Sequence, residues 1–247
     1  MHPNQPRYVS YSFGPGPMTP AVRALIALNV VGYLLPLVGP SLTLWLGLVP
    51  ALVVERWWVW QPATYLFLHG GLFHLLFNML ALWMFGVDLE RVWGTRFFVR
   101  FYVVAGIGAA LTTLVISLLP FAFAEALYAS VTVGASGAIY GLLVAFAMMY
   151  PHRPIYLYML FPIPARVFVL IIGAISFLSS VTEPRGGVAH ATHLGGLVVG
   201  YLYLAGRREG AFSSLRSHWL RWRMARLRKR FDVHDGGRKG PGGPWVH

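Results

Sequence analysis

A serine among small residues is the first candidate for chemistry in this chain. Ser136 stands in a Gly-Ala-Ser-Gly stretch that runs from Gly134 to Gly137 and opens an apolar segment. Glycine neighbours let another backbone approach the hydroxyl, and the free N–H groups of a helix's first turn suit a developing negative charge. Small residues one turn apart, here Gly137 and Gly141, are also typical of helix packing in membranes. The stretch alone therefore indicates either a nucleophile or a packing face.

Four other polar side chains have the types needed to serve such a serine. His74 and Asn78 are four residues apart, so a helix presents both on one face. His190 and His193 are three residues apart on a later apolar segment, and histidine is the usual general base for a serine. These residues predict acyl-transfer chemistry if the fold brings them to Ser136.

The composition places these groups in a membrane protein. Of the 247 residues, 57% are hydrophobic and 11% are charged, and the mean hydropathy is +0.60. These values are typical of a polytopic membrane protein rather than a soluble domain. The net charge of +12 comes from basic residues at the ends of apolar segments, which favours membrane orientation over nucleic-acid binding. The chain has no cysteine, which excludes thiolate chemistry and disulfides.

Six apolar segments are long enough to suggest membrane spans, so the predicted fold class is all-α. They cover residues 20–39, 72–89, 97–121, 133–150, 165–181 and 188–206. With both termini inside, 18 of the 20 Lys and Arg residues lie on one side, and only Arg56 and Arg185 lie on the other. The positive-inside rule then makes both termini cytoplasmic. We expect a flexible tail over residues 1–18, a six-span domain over 19–206 and a basic cytoplasmic tail over 207–247.

The polar groups fall at one depth in this topology. The second, fourth and sixth spans all enter from the non-cytoplasmic side, and each carries its polar group near its start. Gly196 and Gly200 follow His193 at +3 and +7, so close approach to the glycine face of the fourth span brings His193 to Ser136. His190 is the rival base. It lies nearer the mouth of the site, where we expect it to hydrogen-bond in a cap or to water.

No carboxylate is positioned to complete a triad. Asp88 lies about 21 Å along the second span from His74, at ~1.5 Å per residue, and the other acids lie in loops, at the cytoplasmic end or in the tail. The sequence therefore predicts a dyad of Ser136 and His193. His74, Asn78 and the Ser136 backbone N–H are expected to form an oxyanion hole. No cofactor or metal is expected, because neither histidine pair has the nearby glutamate of a zinc protease motif.

Taken together, the three motifs resemble those of the rhomboid family of intramembrane serine proteases, over roughly residues 20–206. In chain order they are His69-Gly-Gly-Leu-Phe-His74-Leu-Leu-Phe-Asn78 with Gly86 and Glu90 following, Gly134-Ala-Ser136-Gly137 with Tyr140, and His193-Leu-Gly-Gly196-Leu-Val-Val-Gly200.

The resemblance implies a six-helix rhomboid-like bundle in which Ser136 is the nucleophile and His193 the general base and acid. It implies that Tyr140 lies beneath the histidine ring and that Glu90 is structural at the cytoplasmic end. His69 and His190 would support the site. The resemblance also implies a prokaryotic plasma membrane. Because water must reach the dyad for deacylation, we expect the site to open to the non-cytoplasmic side.

Two loops of the family can be located in this sequence. The first outer loop of the family usually carries a Trp-Arg pair, and the corresponding residues here are Trp60 and Gln61. The arginine of that pair is thus replaced by glutamine. The outer loop between the fifth and sixth spans acts as a cap in the family, and residues 182–187 would form it here.

The predicted reaction is hydrolysis of a peptide bond in or beside a substrate's transmembrane helix, which must first unwind to expose its carbonyls. Two other classes compete with this prediction. A proteolytically inactive rhomboid-like binder or chaperone would keep the fold, but we expect it to lack Ser136 or His193. A proton or ion transporter would explain intramembrane histidines, but not the glycine-flanked serine at the same depth.

The basic tail after Gly206 has two interpretations. Leu220, Met224, Leu227 and Phe231 recur at helical spacing, which fits an amphipathic helix on an anionic inner leaflet. The alternative is a disordered basic tail that only determines topology.

Overall fold

The computed structural model describes residues 14–120, 122–157, 161–182 and 187–208. Within them lie the helices α1 (Pro20–Val38), α2 (Leu42–Leu46), α3 (Pro50–Arg56), α4 (Gln61–Thr64), α5 (Leu72–Trp93), α6 (Thr95–Ser117), α7 (Ala122–Ala129), α8 (Ser136–Met149), α9 (Ala165–Thr182) and α10 (Gly187–Arg208), with a 3-10 turn at Tyr65–Phe67. Strands β1 (Pro154–Leu157) and β2 (Phe161–Pro164) form an antiparallel pair. The chain divides into two compact units, Met1–Leu204 and Ala205–His247.

Among the described residues, the helices α1, α5 and α6 are long and apolar enough to cross a membrane. α8 and the segment Ala165–Ser180 of α9 are apolar but shorter. Each of the six predicted segments coincides with one helix, namely α1, α5, α6, α8, α9 or α10. α6 ends at Ser117, earlier than predicted, since a helix rarely continues to the residue before a proline and Pro120 follows closely. The count of six spans and the orientation of the termini stay predictions.

α8 is the central helix of the first unit. From Gly137 to Ala147 all its residues except Tyr140 are buried, and it packs against α5, α6 and α9. At 14 residues it extends only about 21 Å. It begins at Ser136 rather than at the predicted residue 133, because the preceding residues are used in non-helical contacts. Non-helical backbone is tolerated at membrane depth where it is buried in protein.

The core lies where α5, α6 and α8 meet. Phe98, Phe101 and Tyr102 on α6, Leu82 on α5 and Leu142 on α8 have no exposed surface. These large side chains hold the three helices at fixed spacing, so that the first turn of α8 has a rigid support.

The structure corrects the all-α prediction at the connection between α8 and α9. This connection is a β-hairpin whose register pairs Pro154 with Pro164 and Ile155 with Ile163. Prolines interrupt a helix because they lack an N–H, while β-branched and aromatic residues favour extended backbone. The chain is therefore mostly helical with one small sheet.

Gln61 organises the first outer connection, which contains short helices as well as loop. Its side chain is fully buried. The amide oxygen accepts a hydrogen bond from the Val49 N–H at 2.9 Å, and the amide nitrogen donates to the Leu44 carbonyl at 2.9 Å. The Trp60 indole donates to the Trp45 carbonyl at 2.8 Å. Glutamine thus closes this connection with both its amide oxygen and its amide nitrogen, at the position where the resemblance noted above leads one to expect arginine.

The residues just before α1 are held against α5. The Trp83 indole donates to the Gly16 carbonyl at 3.1 Å, and the Arg91 guanidinium donates to the carbonyls of Pro15 and Pro17. Residues 1–13 of the predicted tail lie outside the described residues. So do most of the predicted cap and the whole segment 209–247, including the predicted amphipathic helix. The predicted domain boundaries therefore stay predictions.

A buried carboxylate ties the start of α1 to the end of α5. Glu90 is 3% exposed and accepts hydrogen bonds from the backbone N–H groups of Ala21 at 3.0 Å and Val22 at 3.1 Å. The hydroxyls of Thr95, at 2.7 Å, and Thr19 also donate to it. The first turn of a helix has unpaired N–H groups and the positive end of its dipole, so a carboxylate there satisfies both. Glu90 is thus the N-terminal cap of a helix distant in sequence.

Replacing Glu90 with alanine should destabilise the protein by about 3 kcal/mol, because two buried backbone N–H groups and two threonine hydroxyls lose their acceptor. Glu90→Gln keeps one acceptor oxygen and should cost less. The exposed Glu55, which accepts one hydrogen bond from the Tyr128 hydroxyl, supplies the control Glu55→Gln. Thermal unfolding in detergent measures all three variants. Equal midpoints for Glu90→Ala and Glu55→Gln would contradict the capping role.

Candidate active site

Ser136 is the first residue of α8 and follows a turn that only glycine adopts readily. Gly134 has a φ of +125°. A Cβ at Gly134 would lie 2.7 Å from Cε1 of His74, so the glycine also lets that imidazole contact the backbone. The Gly134 N–H donates to the Tyr65 carbonyl at 2.9 Å, which holds the turn in place.

α8 and α10 approach each other backbone to backbone. A Cβ on Gly196 would lie 1.9 Å from the carbonyl oxygen of Gly137, and one on Gly200 would lie 2.8 Å from Cα of Gly141. No larger residue fits at Gly196 without separating the helices. The structure therefore brings together the two glycine faces that the spacing predicts, and His193 stands one turn before the contact.

His193 and Ser136 are within hydrogen-bond distance, since Nε2 of His193 lies 2.8 Å from Oγ of Ser136. The His193 ring stacks on Tyr140, with 4.2 Å between ring centroids and 9° between the planes. The Ser176 hydroxyl of α9 lies 3.5 Å from the Tyr140 hydroxyl. In the described part of the chain, Nδ1 of His193 has no hydrogen-bond partner. Within that part, an aromatic face rather than a carboxylate therefore supports the imidazole.

The other predicted histidines surround this pair. The His190 ring lies 5.8 Å from the His193 ring and nearly perpendicular to it. Among the described hydrogen bonds, Ser136 pairs with His193 and not with His190. The His69 and His74 rings meet edge to face at 5.0 Å. Within the described ranges, no group of three or more His, Asp or Glu residues is arranged to hold a metal ion.

His74 presents a donor atom to the turn before Ser136. Its Nδ1 accepts a long hydrogen bond, 3.4 Å, from the Gly70 N–H. A neutral ring then carries its proton on Nε2, the atom that lies against Gly134. The Asn78 amide donates to the His74 carbonyl at 2.7 Å, which uses one of its two N–H donors. The structure places His74 beside the serine's turn and Asn78 one helical turn further along α5.

Three residues that the sequence analysis did not single out hold this site together. Tyr65 accepts from the Gly134 N–H, and its hydroxyl donates to the Gly106 carbonyl of α6 at 2.7 Å. The Thr192 and Thr113 hydroxyls join α10 to α6 at 2.8 Å. A threonine beside His193 in an apolar segment was a usable signal for helix pairing. Tyr65 gave no signal, because its importance depends on long-range contacts.

The outer connection is bonded to the strand-like segment before Ser136. The Leu48 N–H donates to the Thr132 carbonyl at 2.9 Å, and the Thr132 N–H donates to the Leu48 carbonyl at 2.8 Å. Because Gln61 closes the turn that contains Leu48, its amide also supports this pairing. The position of Ser136 thus depends on a loop that is remote in sequence.

The family model named "Rhomboid domain" matches residues 56–209, which include all the residues of the candidate site. The chain belongs to the rhomboid family. The family resemblance of the three motifs is thereby confirmed.

Three relatives show the extent of this rhomboid's similarity to known proteins. "Rhomboid protein 1, mitochondrial" of Saccharomyces cerevisiae is 34% identical over 138 residues, covering 56% of this chain and 38% of its own. "Rhomboid protease GluP" of Bacillus subtilis is 33% identical over 166 residues, covering 66% and 29%. "Rhomboid protease AarA" of Providencia stuartii is 29% identical over 161 residues, covering 58% and 54%. The chain therefore aligns with about a third to a half of the length of these relatives.

Gly196→Ala in this rhomboid should cost about 1–3 kcal/mol of stability, because the added methyl group overlaps the Gly137 carbonyl. Gly206→Ala on the same helix is the matched control, since a Cβ there meets nothing within 4 Å and alanine is the better helix former. Unfolding midpoints of the two variants measure the difference. If Gly196→Ala unfolds at the wild-type temperature, the glycine contact is not needed.

The stability of the protein should fall in mild acid because of His69. This residue precedes α5 and is 6% exposed, and burial, with a smaller effect of His74, lowers the pKa of its side chain from 6.5 to about 4. Between these values the unfolded chain binds a proton that the folded protein does not, so stability decreases as the pH falls from about 6.5 toward 4.

His69→Gln should reduce this loss, whereas the exposed His152→Gln should not. Unfolding midpoints at about pH 7.5 and about pH 5 measure the effect. An unchanged difference between the two midpoints in His69→Gln would show that His69 is not the responsible group.

Proposed function

We propose that this rhomboid is an intramembrane serine endopeptidase in which Ser136 is the nucleophile and His193 the general base and acid. The observation that carries the proposal is the 2.8 Å contact between Nε2 of His193 and Oγ of Ser136. A hydroxyl and an imidazole at this distance are arranged for proton transfer during nucleophilic attack. The names of two relatives, the rhomboid proteases GluP and AarA, support the same reaction class.

The proposed reaction proceeds through an acyl-enzyme. Ser136 Oγ attacks the carbonyl carbon of the scissile bond while Nε2 of His193 takes the hydroxyl proton, and the carbonyl oxygen becomes an oxyanion. The C–N bond then breaks as His193 gives that proton to the leaving amine. A water molecule, deprotonated by His193, attacks the ester, and the acyl group leaves as a carboxylic acid while the proton returns to Ser136.

The oxyanion would be stabilised by donors that are already in place. The backbone N–H of Ser136 is in the first turn of α8, where N–H groups have no partner within the helix. Nε2 of His74 faces the preceding turn, and the second N–H of the Asn78 amide is the third candidate donor. Because these groups are oriented by the fold, little reorganisation is needed when the negative charge forms.

Two neighbours would position His193, since no carboxylate among the described residues bonds its Nδ1. Tyr140 lies parallel to the ring at 4.2 Å, which restricts rotation of the imidazole and places an aromatic face beneath the positive charge that forms on it. Ser176 in turn lies near the Tyr140 hydroxyl. This support acts through packing, where a triad would use a charged hydrogen bond.

The proposed substrates are membrane proteins, cleaved in or beside a transmembrane helix. The candidate site lies at the first turns of α8 and of the neighbouring α10, within a set of apolar helices. A helical substrate hides its carbonyls in its own hydrogen bonds, so the cleaved segment must unwind locally, and glycine or proline near the scissile bond should help.

We further propose six spans, with both termini cytoplasmic and the site open to the other side, on the asymmetry of basic residues. Relatives come from bacteria and from a yeast, where the protein is named mitochondrial. The proposal is therefore a multi-pass membrane location without a prokaryotic assignment.

The experiment compares wild type, Ser136→Ala and His193→Ala, reconstituted with a tagged single-span substrate and treated in parallel with a fluorophosphonate that reports an activated serine. Both single variants should lose cleavage and labelling by about 10³-fold or more. Ser180→Ala is the control, because among the described hydrogen bonds its hydroxyl donates within its own helix, to the Phe177 carbonyl.

Each outcome of this comparison has a distinct meaning. Cleavage that survives Ser136→Ala would refute the nucleophile, and cleavage that survives His193→Ala would reopen the role of His190 as base. Labelling without cleavage in wild type would support the dyad and reject the chosen substrate. If folded wild type gives neither signal, the chain is the proteolytically inactive binder that the sequence left as the alternative.

A further inference from the structure

A groove lies among α8, α9 and α10, and its lining includes neither residue of the dyad. It has a volume of about 610 Å³ and is lined almost entirely by apolar side chains. Val144 and Met148 of α8 line one wall, Leu197 and Tyr201 of α10 line another, and α9 supplies the third. This volume lies within the range of small-molecule sites in proteins, about 300–1,000 Å³.

α9 supplies a charged side chain at one end of the groove and a glycine near its middle. Arg166, Leu170 and Gly173 follow each other at +4 and +7, so they share one face of the helix, and all three line the groove. Arg166 and Gly173 are separated by about 10 Å along the axis. A Cβ on Gly173 would contact only the Leu197 side chain, at 3.3 Å, so the glycine leaves space in the groove.

The charge of Arg166 is not neutralised by the described part of the chain. Within those residues no carboxylate lies within ion-pair distance of its guanidinium, and the first turn of α9 contains no acid. Asp88 instead pairs with Arg153 at 2.7 Å. The positive end of the α9 dipole adds to the positive charge of Arg166. This end of the groove therefore favours an anion.

An occupant of this groove must be apolar over most of its length and negative at one end. Apolar contact alone does not select an occupant inside a bilayer, since lipid tails are as apolar as leucine, so selection must come from the charged end. The charge asymmetry of the chain puts Arg166 on the cytoplasmic side. Basic residues between membrane helices on that side are typical of sites for anionic headgroups.

We propose that the groove between α8, α9 and α10 binds one anionic phospholipid, with an acyl chain along the groove and the headgroup phosphate on the Arg166 guanidinium. The site is independent of the proposed dyad and uses none of its residues. It is nevertheless close to the dyad along α9, because Ser176, which lies near the Tyr140 hydroxyl, follows Gly173 by three residues. A bound lipid would thus contact the helix that borders the candidate active site.

Native mass spectrometry of the full-length, delipidated protein in detergent tests this proposal. The protein is titrated with phosphatidylglycerol and with phosphatidylcholine of the same acyl chains. Wild type should bind one phosphatidylglycerol at least about fivefold more tightly than phosphatidylcholine. Arg166→Gln should abolish that preference. Arg23→Gln is the matched control, because Arg23 is also an exposed arginine in the first turn of an apolar helix, and it should keep the preference.

A third variant locates the acyl chain. Gly173→Leu fills the groove and should weaken the binding of both lipids, with its unfolding midpoint as the check on folding. The proposal is overturned if Arg166→Gln keeps the preference for phosphatidylglycerol, or if folded Gly173→Leu binds it as wild type does. If wild type forms protein dimers in place of lipid adducts, and Gly173→Leu abolishes these dimers, the groove is assigned to a second copy of the chain. If Gly173→Leu does not fold, the comparison of Arg166→Gln with Arg23→Gln decides.

Discussion

The candidate site depends above all on the close approach of α8 and α10. At Gly196 the two backbones are so near that even a methyl group would overlap the Gly137 carbonyl. Inside a membrane the hydrophobic effect does not drive helices together, so association depends on close packing and on polar contacts such as that between Thr113 and Thr192. The same contact that holds the helices sets the short distance between Ser136 and the imidazole, so packing and chemistry share one geometric constraint.

The non-helical backbone before α8 is the second requirement, because unpaired N–H and carbonyl groups are costly away from water. This chain satisfies them with contacts that are distant in sequence. Leu48 pairs with Thr132, Gly134 bonds to Tyr65, and the Gln61 amide closes the outer connection that contains Leu48. A single neutral amide closes this loop with two hydrogen bonds and without a positive charge.

Charged side chains are few in this protein, and those discussed here lie at or near the ends of the helices. Glu90 is buried only because four donors surround it, two of them from the first turn of another helix. Arg153 is held by Asp88 and by the faces of two aromatic rings. The candidate dyad itself contains no charged partner among the described residues, and a tyrosine ring supports its histidine. This pattern agrees with the high cost of unpaired charge at membrane depth.

The sequence alone predicted an all-α fold, the rhomboid family and the approach of His193 to Ser136, because helical periodicity, membrane hydropathy and matched glycine spacings are local properties. The family is confirmed, the described fold is mostly helical, and the two side chains lie within hydrogen-bond distance. The sequence did not reveal the β-hairpin after α8, which lies in the connection between two predicted spans, where no secondary structure was predicted. Only the tertiary structure decided that Tyr65 and Gln61 hold the site. Their hydrogen bonds join residues far apart in the chain, and no local sequence pattern predicts which distant backbone group a buried side chain will bond.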